Sequence, residues 1–206
     1  MSVRSFDDRA GEWDDDPAKR DRAERTAAMI RTFVPLDPTT RLLEYGAGTG
    51  LLATALGGDV GAVVLADTSQ GMRDVIYAKI SAGVLPAGAR VWDVDLTVGP
   101  TPADQFDLIA IVMTLHHIPN ANDVLAAFAD LLADGGHLCV VDLEAEDGSF
   151  HGKDFEGHGG FERHVLSETL EGLGFDEVHF EHLLEIERDT GTYPVFFALA
   201  RRGPTR

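Results

Sequence analysis

From Arg41 onward the chain alternates short, continuous apolar runs with segments of helical period. RLLEY (41–45), AVVLAD (62–67), ARVWDV (89–94), FDLIAIV (106–112) and GHLCVVDL (136–143) read as strands, and segments at about 50–57, 69–81 and 122–133 read as helices. Ser69 is expected to cap the second of these helices. Runs such as LIAIV lack the alternation of a half-exposed strand, so both of their faces must be covered, as in a parallel sheet. Parallel neighbours require crossovers, and the intervening helices supply them. The pattern predicts an α/β fold, a mostly parallel sheet with helices on both faces.

The two ends depart from this alternation. Residues 1–16, MSVRSFDDRAGEWDDD, are acidic with two isolated aromatics, Phe6 and Trp13, and are expected to form a flexible arm with anchors. Pro17 suits a first helical turn, and apolar positions 23, 27, 30 and 34 keep helical spacing until Pro35 and Pro38 end the helix. A helix over 166–173 is expected to stop at Gly174. FDEVHFEHLLEIE and TYPVFFALARR then follow with a short link that predicts a hairpin, an antiparallel pair at the sheet edge. Residues 144–165 show no clear period and read as a long loop without structure of its own, a kind that is usually functional or mobile. A chain of 206 residues accommodates one domain, with an N-terminal arm and helix at 1–38, a core at 39–143, the loop at 144–165 and a terminal helix and hairpin at 166–206.

Composition narrows the partners. With 44% apolar and 25% charged residues the chain has the makings of a soluble folded protein. Thirty-five acidic against 17 basic residues give a net charge of −18, a field that repels phosphate backbones and anionic headgroups, so nucleic acid and membrane are not expected as partners. The single cysteine, Cys139, cannot form an internal disulfide, and a cytoplasmic setting is expected. The longest apolar run, Leu108–Leu115, falls far short of the ~18 residues of a membrane helix.

The chemistry starts at LLEYGAGTG (42–50). A dinucleotide loop needs G-x-G-x-x-G; Gly46 and Gly48 are present, but Leu51 stands at the third position and Gly50 comes one residue early. A nicotinamide-dependent oxidoreductase therefore fits poorly. Glu44, two residues before the first glycine, would oppose a pyrophosphate yet suits a ligand bearing a positive group, while amides at the following helix start can meet a carboxylate. An amino-acid-bearing nucleoside satisfies both demands. Asp67, at the end of the second strand, is placed to accept hydrogen bonds from ribose hydroxyls.

LLEYGAGTG, VVLADTSQGM, FDLIAIVMTLHHIPN and LLADGGHLCVVDL resemble, in that order, the signature segments of the class I S-adenosylmethionine (SAM) dependent methyltransferases, from about Arg41 to Leu143, with the terminal hairpin also matching. The resemblance implies a Rossmann-like, seven-stranded, mostly parallel sheet of order 3-2-1-4-5-7-6 with strand 7 antiparallel. It implies S-adenosyl-L-methionine as cofactor, with Glu44, Gly46, Ala47, Gly48 and Gly50 around its methionine part, Asp67 at the ribose, and Thr68 and Met72 beside the adenine. Asp93 and Asp95 both qualify for the acid near the adenine amino group; Asp95 with Leu96 is favoured because DL leads into the loop TVGPTP. Met113 resembles the residue whose backbone lies near the methionine amino group. The arm resembles a segment that covers SAM, with Trp13 closing over the ligand or simply packing on the first helix.

Methyl transfer from a sulfonium depends mainly on positioning, and a base is needed only where the acceptor must lose a proton. MTLHHIPN (113–120) lacks the Asn or Asp, prolines and aromatic of methyltransferases that act on base nitrogens, and Cys139 lies on the wrong strand for a cysteine nucleophile. A small-molecule acceptor is expected; a protein or peptide side chain, or a non-catalytic SAM-binding module, are the alternatives. His116 and His117 are candidate proton acceptors or loop-orienting groups, and the pair resembles the LHH element of enzymes related to quinone-biosynthesis methyltransferases. His151 and His158, in SFHG and HGGFER, are expected to line the acceptor pocket and are further candidates for a catalytic role. No metal is expected: His151, His158 and His164, among Asp147, Asp154 and Glu156, have spacings that match no standard ligand pattern.

Overall fold

The computed structural model describes residues 6–152 and 155–204. Its strands are β1 (Leu42–Tyr45), β2 (Val63–Ala66), β3 (Arg90–Trp92), β4 (Phe106–Val112), β5 (Leu132–Leu143), β6 (Phe175–Arg188) and β7 (Gly191–Arg202). Its α-helices are α1 (Pro17–Phe33), α2 (Leu51–Leu56), α3 (Gln70–Ser81), α4 (Ala121–Leu131) and α5 (Arg163–Gly172). The strands hydrogen-bond in the order β3-β2-β1-β4-β5-β7-β6, the one that the resemblance implies. Strands β1, β2 and β3 are parallel, while β7 runs antiparallel to both β5 and β6. Among the described residues, no helix is long and apolar enough to cross a membrane.

The chain divides into two compact units. One runs through Asp95 and takes in Leu108–Ala110; the other consists of Leu96–Asp107 and the residues from Ile111 on. In the first unit every residue of β1 and β2 is buried, which explains why LLEY and VVLA read as unbroken runs. Asp16 caps α1 by accepting from the Ala18 amide at 2.9 Å, and the predicted stripe of Ala23, Ala27, Ile30 and Val34 is buried. Ser69 caps α3 through the Met72 amide, as expected from sequence.

In the second unit α5 stops ahead of Gly174, whose φ of 85° lies in the left-handed region. The edge strand β6 alternates between covered and exposed residues and breaks register with β7 twice, at Asp176/His179 and His182/Leu184. The predicted helix over 122–133 ends at Leu131 instead, because Leu132 is already extended (φ −82°, ψ 135°) and begins β5.

Two sequence expectations are corrected. The described part of the arm is no loose tether, residues 1–5 lying outside the described residues: Ala10–Asp15 forms a 3-10 helix, its Asp14 accepts from Thr49, and Asp7 ahead of it accepts from Ser69. The 144–165 segment has backbone structure of its own, with the Glu146 amide donating to Gly159 O at 2.7 Å and the Phe161 amide to Leu143 O at 2.9 Å. Its glycines make this possible, since a Cβ on Gly160 would come within 2.1 Å of Glu144 O.

Candidate functional site

The first unit contains the glycine loop. Gly46, Gly48 and Gly50 have φ values of 64°, 55° and 77°, a left-handed sequence that side-chain-bearing residues rarely adopt. The two later glycines differ in what surrounds them. A Cβ on Gly50 would meet Leu65 Cδ2 at 2.6 Å and Leu85 Cδ1 at 3.3 Å, so Gly50 lets the start of α2 press onto β2. That is the task of the third glycine of a dinucleotide loop, performed one residue earlier. A Cβ on Gly48 would meet the Trp13 indole at 3.5 Å and Met72 Sδ at 4.0 Å, both ordinary contact distances. The intervening Ala47 is buried, its amide bonded to Ala66 O at 2.9 Å.

Glu44 is 4% exposed, and its carboxylate turns inward to accept from the Ala53 amide at 2.9 Å, with a further bond from Leu52. Burial pushes its pKa up to about 7, against the opposing pull of those amides and of Lys79. Glu44, expected to face a ligand's positive group, thus also holds the first turn of α2.

Asp67 joins the loop to β2. One of its oxygens accepts from the Gly48 amide at 2.7 Å and the other from the Ser69 amide at 2.8 Å; burial raises its pKa. Arg73, itself 6% exposed, bonds Asp67 O, Gln70 and both oxygens of Asp93. Beyond β3 both candidate acids are exposed, and Asp93 is paired with Arg73. Thr68 is likewise exposed, and Met72 is buried beneath the loop rather than presented at its surface.

The arm is latched over this loop at two points that the sequence did not disclose. Asp14 accepts from Thr49 Oγ1 and pairs with Lys79 Nζ, both at 2.5 Å, and Lys79 also donates to Thr49 O. Asp7 accepts from Ser69 Oγ at 2.6 Å and from the Gly71 amide at 2.9 Å. A Cβ on Gly71 would fall 2.8 Å from Asp7 O, so that contact needs glycine. Trp13 lies against Gly48 on one side and carries Lys19 Nζ 4.0 Å from its ring centroid.

The second unit gathers histidines from distant segments. His116 and His117 lie in the 3-10 turn Leu115–His117 after β4, and His151 comes from the long loop. His116 is buried, with Nδ1 2.5 Å from Asp142 Oδ1 and Nε2 3.0 Å from His151 Nε2. Asp142, fully buried in β5, also accepts from the His116 and Leu143 amides. Its signal in the sequence is an acid inside the apolar run HLCVVDL. Desolvation and the neighbouring imidazoles push the pKa of His117 down to about 3 and that of His151 to about 4.

The other expected residues are placed as follows. His158 donates its amide to His116 O at 2.7 Å and its ring sits 3.0 Å from Ile118 O, so it braces the turn. His164 is exposed beside Glu162, Asp147 and Glu156 are absent from the histidine cluster, and Asp154 lies outside the described residues. In the same unit Leu96 is buried, and Met113 has a φ of 50° with its amide bonded to Val141 O at 2.7 Å, a strained conformation at a strand end. Cys139 is buried in β5 with its thiol pKa pushed up by desolvation.

Known proteins share this sequence pattern and fold. A family model described as a methyltransferase domain matches residues 18–185. The ubiquinone/menaquinone biosynthesis C-methyltransferase UbiE of Teredinibacter turnerae is 30% identical over 122 residues, which cover 58% of this chain and 49% of that enzyme. Its counterpart in Stutzerimonas stutzeri is 26% identical over 121 residues, covering 57% and 47%. The chain thus spans about half the length of these relatives. Among solved structures, the N-methyltransferase NodS of Bradyrhizobium japonicum, in complex with S-adenosyl-L-homocysteine, matches with a TM-score of 0.76 at 15% identity over 98% of both chains. That likeness shows the fold, the Rossmann-like one named above.

Proposed function

The chain belongs to the methyltransferase-domain family, and from that premise we propose that it transfers a methyl group from S-adenosylmethionine to a small-molecule acceptor. The observation that supports this most is the junction of Asp67 with Gly48: a carboxylate at the end of β2 and an approachable glycine backbone meet within 2.7 Å. A carboxylate has about four lone-pair sites, so Asp67 can take ribose hydroxyls while keeping its two amides. The loop fits a nucleoside ligand because side-chain-free Gly48, bonded through its amide to Asp67, lets a ligand come close to its backbone. Thr68 and Asp95, both exposed, are the groups we assign to the adenine side, and Trp13 covers the loop and excludes water.

When bound, the cofactor supplies a sulfonium methyl that passes to the acceptor as a neutral thioether departs. The chain's task is to hold and orient. A net charge of −18 supports an acceptor other than nucleic acid, and a lone buried cysteine supports a reducing cytoplasmic setting.

Isothermal titration of the full chain with SAM, S-adenosylhomocysteine and NAD tests the reading. The two sulfur nucleosides should bind and NAD should not, and Asp67→Ala should weaken binding by about tenfold or more, the loss of charge-assisted bonds to a hydroxyl pair. Binding of NAD in preference to the sulfur nucleosides would overturn it.

A further inference from the structure

We propose that His116, His117 and His151 form a binding site for one divalent transition-metal ion, with Asp142 as the group that orients His116. The inference concerns the second unit alone and does not depend on the methyl-transfer reading.

The geometry comes first. One ring nitrogen from each of the three histidines can be chosen so that all lie within 4.8 Å of one another. Three imidazoles bound tetrahedrally at the usual zinc–nitrogen distance of about 2.0–2.1 Å would have their nitrogens about 3.3 Å apart. The Nε2 atoms of His116 and His151, at 3.0 Å, need open by only a few tenths of an ångström. The His117 ring packs 4.2 Å from the His116 centroid and 4.9 Å from that of His151, which brings a third imidazole to the pair.

The surroundings match a metal centre. Asp142 accepts from His116 Nδ1, which fixes the tautomer and leaves the Nε2 lone pair for a cation, the carboxylate–histidine–metal arrangement of many such sites. A fully buried carboxylate is costly by itself, and a cation at the far side of the imidazole would offset that cost. Phe155 stacks on His151 at 4.0 Å, and Phe150 meets it edge-on at 4.8 Å, so the cluster has an apolar wall.

The backbone is held in place without a metal. His158 braces the turn from the loop side, and a Cβ on Gly157 would come within 2.2 Å of His116 O, so the loop sits closely against the ligating segment. Borderline nitrogen donors select zinc or a neighbouring first-row ion over magnesium or calcium. Three protein ligands, as in catalytic rather than structural zinc sites, leave a fourth position for water or a hydroxyl oxygen of a ligand. Spacing in the sequence concealed the set, because two ligands are adjacent and the third arrives 35 residues later.

The test uses the full-length chain without an affinity tag, freed of metal by chelation and titrated with Co2+, whose visible absorption is intense in tetrahedral nitrogen sites. The expected result is a saturable tetrahedral spectrum at one ion per chain that Zn2+ displaces. His151→Ala, a change at a half-buried loop position, should abolish the spectrum, while Asp142→Asn should weaken the ion's affinity about 10- to 100-fold. His164→Ala, at an exposed site, should leave both unchanged. The absence of a saturable tetrahedral spectrum, or one that survives His151→Ala in a chain with native circular dichroism, would overturn the proposal. Both readouts are independent of SAM affinity.

Discussion

Asp14 and Thr49, 35 residues apart, are hydrogen-bonded at 2.5 Å, so the N-terminal 3-10 helix is fastened directly to the glycine loop. The same carboxylate pairs with Lys79, whose ammonium also holds Thr49 O. Asp14→Ala is therefore expected to release the arm without unfolding the sheet. Limited proteolysis should cut before Pro17 faster than in the parent chain, and S-adenosylhomocysteine affinity should fall roughly three- to tenfold, the order of ~1 kcal/mol expected of a partly exposed charged contact. Unchanged cleavage and affinity would mean that the latch is decorative.

The glycines of the loop should separate in a stability measurement. Gly50→Ala combines a left-handed backbone, costing roughly 1–2 kcal/mol, with overpacking against Leu65, costing about 1–3 kcal/mol more. Gly48→Ala incurs only the backbone part, because its new methyl meets Trp13 at ordinary contact distance. Urea unfolding without cofactor should rank Gly50→Ala clearly below Gly48→Ala. In cofactor titrations the folded Gly48→Ala protein should be the impaired one.

Asp67 holds the loop in the absence of any ligand. Replacing it with Asn turns one of its two acceptors into a donor facing an amide hydrogen, and about 2 kcal/mol of apo-protein stability should be lost. Chemical denaturation of the ligand-free variant measures this. An unchanged midpoint would assign Asp67 to ligand binding alone.

Glu44 should leave a signature in the pH dependence of stability. Its folded pKa of about 7 lies above the ordinary 4.5, so between those values the unfolded chain gives up the proton first. The stabilising contribution of the protonated form is complete below pH 4.5 and is lost as pH rises toward 7, at up to about 1.4 kcal/mol per pH unit. Comparing the parent with Glu44→Gln isolates this effect, because the depressed histidines His117 and His151, which favour the fold with the opposite sign, are common to both. The glutamine variant should gain on the parent from pH 5 to pH 7.5. Parallel stability curves would show that Glu44 titrates as an ordinary carboxyl.

What the sequence disclosed was local. Apolar runs such as LIAIV, the Ser69 cap and the stop at Gly174 depend on neighbours within a few residues, and each appears in the structure where it was expected. The features it concealed depend on partners far along the chain. Asp7 and Asp14 fall in what reads as a flexible arm, because their partners, Ser69 and Thr49, are 62 and 35 residues away. Asp142 was absorbed into a strand, although a lone acid inside an apolar run needs a partner, and His116 is that partner, 26 residues earlier. Glu44 was legible as an acid at a strand end, but not the direction its carboxylate takes, since that depends on how α2 packs.

Strand β6 gives part of the chain's negative charge a second meaning. It forms a sheet margin whose outer backbone groups could template pairing with another polypeptide. Two register breaks interrupt that margin, and exposed Asp176, Glu177, Glu185 and Glu187 stand along it, so an approaching copy would meet both a kinked backbone and like charge. Along this margin, acidity acts as protection against edge-to-edge aggregation.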